Sequence, residues 1–216
     1  MEEHSFKGAK TARYFTHGND ITRSEQVWFV LHGYGQLANY FLKNFEQLDP
    51  DKHFVVSAEG FHRFYLEGFS GRVGASWMTK ESRLTDIEDY VNFLDSLFNS
   101  FNIPEEAEVN LLGFSQGVAT ALRWLALGEA NPFHRLILWA GSFPPDLPPE
   151  GAKRVLSIPK VHCVVGDDDP FIKKDQLKKT KLHLDTMGIK PSWFRYSGDH
   201  RIPKQALEKL MSKSDF

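Results

Sequence analysis

The chain predicts an α/β fold, with one domain over residues 1–216 and a mostly parallel sheet held between two layers of helices. Three observations point there. Short apolar runs recur along the chain, each closed off by Gly, Pro, Asp or Asn. Longer amphipathic segments separate the later runs. No Pro/Gly/Ser-rich linker or change in composition divides the 216 residues. In sheets of this kind ligands bind beyond the carboxyl ends of the strands. The chemistry is therefore expected in loops that follow strands.

Taken in order, the expected strands are 11–15, 27–31, 54–58, 109–112, 135–139, 161–165 and 192–196. Several are apolar on both faces, as strands covered from both sides must be. The first expected helix is 37–48. The next, 85–101, repeats Ile87, Val91, Leu94, Phe98 and Phe101 at helical spacing, and Thr85 with Glu88 has the pattern of a capping box. Helices over 118–127 and 171–187 stop at Gly128 and Gly188, and a last one runs over 203–211.

The charges nearly cancel, 26 Lys and Arg against 28 Asp and Glu, so no basic field draws the chain to nucleic acid or acidic membranes. No apolar run approaches the ~18 residues that span a bilayer. Glu2 and Glu3 stand where a signal peptide would be basic. The expectation is a cytoplasmic protein without stable membrane insertion. The single cysteine, Cys163, lies in an apolar run and reads as a small core residue, with no intrachain disulfide or cysteine metal site.

Gly113, Phe114, Ser115, Gln116 and Gly117 join the apolar run 109–112 to the helix beginning at Val118. This is the strand-turn-helix context in which G-x-S-x-G forms a nucleophile elbow, with small residues two before and two after the serine so that strand and helix pack closely. A serine hydroxyl is a weak nucleophile at neutral pH. It needs a base within hydrogen-bond reach and a third group to hold that base.

Both stand downstream, each after a strand. The run 161–165 leads into Gly166, Asp167, Asp168, Asp169 and Pro170, and 192–196 leads into Ser197, Gly198, Asp199 and His200. Three adjacent aspartates repel one another if all are buried, so one is expected to point inward. Asp169 is assigned as the acid because Pro170 restricts its backbone, while Asp167 and Asp168 suit turn-forming and helix-capping work. Asp146 is a rival. His200 is the expected base, since it follows the last strand, whereas His162 and His183 fall inside predicted elements. The oxyanion of an acyl transfer needs donors, expected from the amide of Gln116 and from that of Tyr34 in the loop His32, Gly33, Tyr34, Gly35.

Those four segments resemble the phospholipase/carboxylesterase family, which includes the acyl-protein thioesterases, over nearly the whole chain. The resemblance implies an α/β-hydrolase fold, three-layer αβα, without a separate cap domain. It implies Ser115 as nucleophile, Asp169 as acid, His200 as base, the Tyr34 and Gln116 amides as oxyanion hole, and neither metal nor organic cofactor. The chain departs from the family pattern at Val118, at Met78 and Thr79 after Trp77, and over 59–65, where a proline-rich loop is usual. Tyr40, Phe41, Phe61, Phe64, Tyr65, Phe69, Trp77, Phe143 and Phe171 lie where they could surround a site, and Trp77, Phe143 and Phe171 are assigned to substrate binding. The expected partner is a small-molecule acyl ester, with thioesters and lysophospholipids also open and a homodimer undecided. A non-catalytic binding protein of the same fold is the alternative, and a peptidase or dienelactone hydrolase the third reading.

Overall fold

The computed structural model describes residues 1–2, 4–130, 133–172 and 174–212. Its strands are β1 (Tyr14–His17), β2 (Gln26–Leu31), β3 (His53–Ala58), β4 (His62–Glu67), β5 (Ser70–Ser76), β6 (Glu108–Phe114), β7 (Arg135–Trp139), β8 (Lys160–Gly166) and β9 (Ser192–Tyr196). Seven of them form one sheet in the order β1-β3-β2-β6-β7-β8-β9. All neighbours pair in parallel except β1, which runs antiparallel to β3 at the edge. The helices are α1 (Ala38–Leu42), α2 (Arg83–Asn99), α3 (Gln116–Leu127), α4 (Pro149–Leu156), α5 (Lys174–Thr186) and α6 (Lys204–Ser212).

Alternation along each strand builds the three layers. Phe29, Leu111 and Leu136 share one core with Tyr90 and Leu94 of α2 and Leu122 of α3. Trp28, Leu112 and Ile137, each next to one of these in the same strands, share the other with Phe41 of α1 and Leu207 of α6. Side chains that alternate between faces give each strand two apolar sides. Each large side chain fully buried in this way contributes roughly 1.5–3 kcal/mol. In the paired register Leu31 lies opposite Gly113, and Phe114 opposite Trp139, so the loops after β2, β6 and β7 emerge at one edge.

Several expectations need correction. The expected first strand, 11–15, is displaced to Tyr14–His17, and α1 is a single short helix continued by a 3-10 turn at Lys43–Phe45. The capping box is absent: α2 begins two residues before Thr85, after Ser82 at φ +44 with no side-chain cap bond. Asp86 ties down the incoming loop instead, accepting from the Thr79 amide at 3.3 Å and pairing with His62 at 3.0 Å. Within the expected helix 171–187, position 173 lies outside the described residues, and α5 starts at Lys174. The helix α4, the β4–β5 hairpin and a short 3-10 helix at Ile21–Arg23 lie outside the expected elements. The hairpin docks on the loop after β2 through Gly35 N to Ala75 O at 2.8 Å and Ala75 N to Gln36 O at 3.1 Å.

Candidate active site

Ser115 stands between β6 and α3 with φ +54 and ψ −113, a backbone conformation L residues rarely adopt. The strain is held by packing. A Cβ on Gly113 would overlap the carbonyl of Gly117. Chain entry and exit can therefore touch only without side chains at these two positions, which is the steric content of the G-x-S-x-G spacing. Ser115 N donates to Trp139 O at 2.8 Å, fixing the turn to the end of β7.

The loops carrying Asp169 and His200 are joined in the same way. Asp167 N donates to Tyr196 O at 2.9 Å and Asp168 N to Gly198 O at 3.0 Å, so the loop after β8 is stitched to the loop after β9. A Cβ on Gly166 would overlap Gly198 O. Asp169 is thereby brought to His200, whose Nδ1 lies 2.7 Å from Asp169 Oδ2. His200 Nε2 lies 2.9 Å from Ser115 Oγ. The Asp169 side chain is fully buried, and its other oxygen accepts from the Phe171 amide at 2.9 Å. The imidazole sits between the rings of Phe114 and Phe171, at centroid distances of 4.9 and 4.8 Å. Behind it the Tyr196 hydroxyl reaches the carbonyls of Asp199 and Arg201, at 2.7 and 2.6 Å.

The other acids have separate work. Asp167 pairs with Arg195 at 2.6 Å. Asp146 pairs with the buried Arg123 at 2.8 Å and with Arg83, and these bonds hold its carboxyl below the usual range against the opposing effect of burial.

Gln116 is the first residue of α3, where backbone N–H groups have no partner inside the helix. Among the described residues neither its amide nor that of Tyr34 meets an acceptor. The Gly33 backbone packs beside Ser115, with space for a Cβ only 3.1 Å from that of the serine. The Gln116 side chain is committed elsewhere: Oε1 accepts from Trp77 N at 3.2 Å and Nε2 donates to Met78 O at 2.9 Å. The side chain thereby braces the backbone at Trp77 and Met78 against the start of α3.

The aromatic assignments divide. Trp77 is fully buried, stacked on the His32 ring at 5.0 Å, with Nε1 donating to His32 O at 2.9 Å. It offers no surface to a substrate and supports the loop after β2 from behind, which corrects its assignment. Phe41 is likewise buried in the core. Phe171 is exposed beside His200, and Phe143 is half-buried, walling a small cavity with Val118, Leu138 and Cys163. A larger groove of about 620 Å³ lies beyond Gly35, lined by Gln36, Leu37, Tyr40, Leu66 and Val73. The Phe64 ring packs against that of Tyr34 at a centroid distance of 5.1 Å, tilted by 34°. Among the described residues no cluster of His, Cys, Asp and Glu is placed to hold a metal ion, and no helix is long and apolar enough to cross a membrane.

The fold and the elbow define a class, the α/β-hydrolase-fold serine hydrolases. More narrowly, the chain belongs to the family described as Serine hydrolase (FSH1), whose model matches residues 23–211. Its fold is that of Zea mays acyl-protein thioesterase 2, with 16% identity over 93% of this chain and 96% of that one at a TM-score of 0.70. Esterase PE8 is similar at 22% identity, 94% and 97% coverage and a TM-score of 0.67. The Bacillus cereus carboxylesterase is similar at 17% identity, 92% and 91% coverage and a TM-score of 0.64. No curated protein sequence matches the chain.

Proposed function

We propose that the chain is a single-domain carboxylesterase in which Ser115, His200 and Asp169 are the catalytic residues. The observation that carries this reading is the continuous relay Ser115 Oγ, His200 Nε2, His200 Nδ1, Asp169 Oδ2, with steps of 2.9 and 2.7 Å on either side of the ring. Ser115 Oγ attacks the acyl carbonyl while His200 Nε2 takes its proton. The carbonyl oxygen becomes an oxyanion, met by the amides of Tyr34 and Gln116, the latter at the positive end of α3. The carbon–oxygen bond to the leaving alcohol breaks, and the alcohol takes the proton from His200. Water then repeats the sequence on the acyl-enzyme, releasing the acid and restoring the serine.

The substrate is a small-molecule carboxylic ester. The groove beyond Gly35, walled by Leu37, Tyr40, Leu66 and Val73, supports an apolar acyl or alcohol group there, and Phe171 and Phe143 border the opposite side. A thioester follows the same path with sulfur as the leaving atom. The reading places the enzyme in the cytoplasm, where a lone buried thiol is unexceptional. The test compares kcat/KM for aryl and alkyl esters of increasing acyl length, one thioester and one lysophospholipid, in wild type and S115A. Turnover lost in S115A supports the reading, and no Ser115-dependent turnover of any substrate favours a binding protein of the same fold.

A further inference from the structure

Directly before the Gly33–Tyr34 peptide stands a buried titratable side chain that the reaction above does not use. His32 is fully enclosed. Its Nδ1 lies 2.8 Å from the carbonyl oxygen of Gly33, and its Nε2 lies 3.0 Å from the amide nitrogen of Gly60. A carbonyl can only accept and an amide N–H can only donate, so Nδ1 carries the hydrogen and Nε2 is bare. The ring cannot turn away, because Trp77 is stacked on its face at 5.0 Å and holds the His32 carbonyl at 2.9 Å.

The Gly33 carbonyl and the Tyr34 N–H belong to one planar trans peptide and point in opposite directions. Drawing the carbonyl onto the imidazole therefore turns the Tyr34 N–H away from it. We propose that His32 is a positioning residue, a neutral imidazole protonated at Nδ1 that holds the Gly33–Tyr34 peptide with its N–H aimed at the developing oxyanion. The proposal rests on the esterase reading and extends it to a group that touches neither substrate nor serine. Gln36 completes the clamp, its amide reaching Gly33 O at 3.2 Å and its side chain accepting from Gly33 N at 2.8 Å. Burial lowers the His32 pKa to about 4, which keeps the required form at neutral pH. The bond to the Gly33 carbonyl and, less strongly, Glu59 oppose that shift without cancelling it, and the Glu59 carboxylate is itself occupied by Arg13, Arg63 and the Ala38 amide.

The first test is kinetic, with p-nitrophenyl butyrate as probe. His32→Leu is expected to lower kcat about 10- to 100-fold with KM changed less than about threefold, short of the full loss of an oxyanion donor. His32→Asn carries an N–H at the reach of Nδ1 and is expected to recover kcat to within about fivefold of wild type. His32→Gln carries one only at the reach of Nε2 and is expected not to recover. An Asn variant no better than Gln, or a Leu variant with unchanged kcat, overturns the proposal. The second test needs no variant to fold: nitrogen-15 spectra of wild type should show His32 neutral with Nδ1 protonated from about pH 8 to about pH 5. Protonation at Nε2 instead overturns the proposal even if Ser115 proves catalytic, whereas a wild type that turns over no ester counts against the esterase reading alone.

Discussion

A Cβ on Gly117 would overlap the carbonyl oxygen of Leu31, the last residue of β2. The elbow and the loop carrying Tyr34 are thus in direct backbone contact. Gly117→Ala is expected to destabilise the fold by about 3 kcal/mol, since the obstruction is backbone and cannot swing aside. It should also lower kcat in the protein that remains folded, because relief of the clash must move the end of β2 or the start of α3. Urea unfolding with kinetics on the folded fraction checks both.

Asp169 and Asp146 should separate cleanly. Asp169→Asn keeps the shape but cannot hold the His200 tautomer, and kcat is expected to fall by about 10³- to 10⁴-fold with KM little changed. Asp146→Asn leaves the buried Arg123 guanidinium with weakened pairing, which is expected to cost about 2 kcal/mol of stability and little activity. Steady-state kinetics beside thermal unfolding distinguish the two.

The contrast between these aspartates also marks what the sequence made legible. Ser115, Asp169 and His200 each follow a strand whose apolar run is plain, and the parallel register brings those strand ends to one edge. The hairpin was hidden for a local reason. In β5, Ser70, Gly71, Arg72 and Gly74 read as a loop, and β4 is mostly exposed, so neither shows the alternation of a half-buried strand. Trp77 reads as a substrate contact in the sequence but is buried in the fold, because an aromatic beside a loop looks the same whether it faces a ligand or supports the backbone. The role proposed for His32 rests on a pair of backbone contacts, which no sequence pattern displays. The clue available was a histidine at the end of an entirely apolar strand, where a polar ring must find partners.

Protonation of His32 should govern part of the acid stability. Its pKa is near 4 in the folded protein, below the ordinary value of about 6.5, so as pH falls the unfolded chain takes up the proton first. The contribution is complete above about pH 6.5 and is lost as pH falls to about 4, an effect on the order of 3 kcal/mol. Urea midpoints of wild type and His32→Asn, compared across that window, should diverge least at the acid end. Parallel curves would contradict this.

Cys163 should be inert in the native state. Burial pushes its thiol up to about 12, so almost no thiolate exists at neutral pH. A chromogenic disulfide reagent is expected to leave the folded protein and its turnover untouched and to titrate one thiol in denaturant.

The esterase reading stands most directly on Ser115 Oγ, and it is tested by reaction with a fluorophosphonate followed by peptide mass mapping. The expected result is a single adduct on the peptide carrying Ser115 in wild type, none in Ser115→Ala, and loss of ester turnover in proportion to labelling. An adduct on another residue, or labelling that persists in Ser115→Ala, would contradict it.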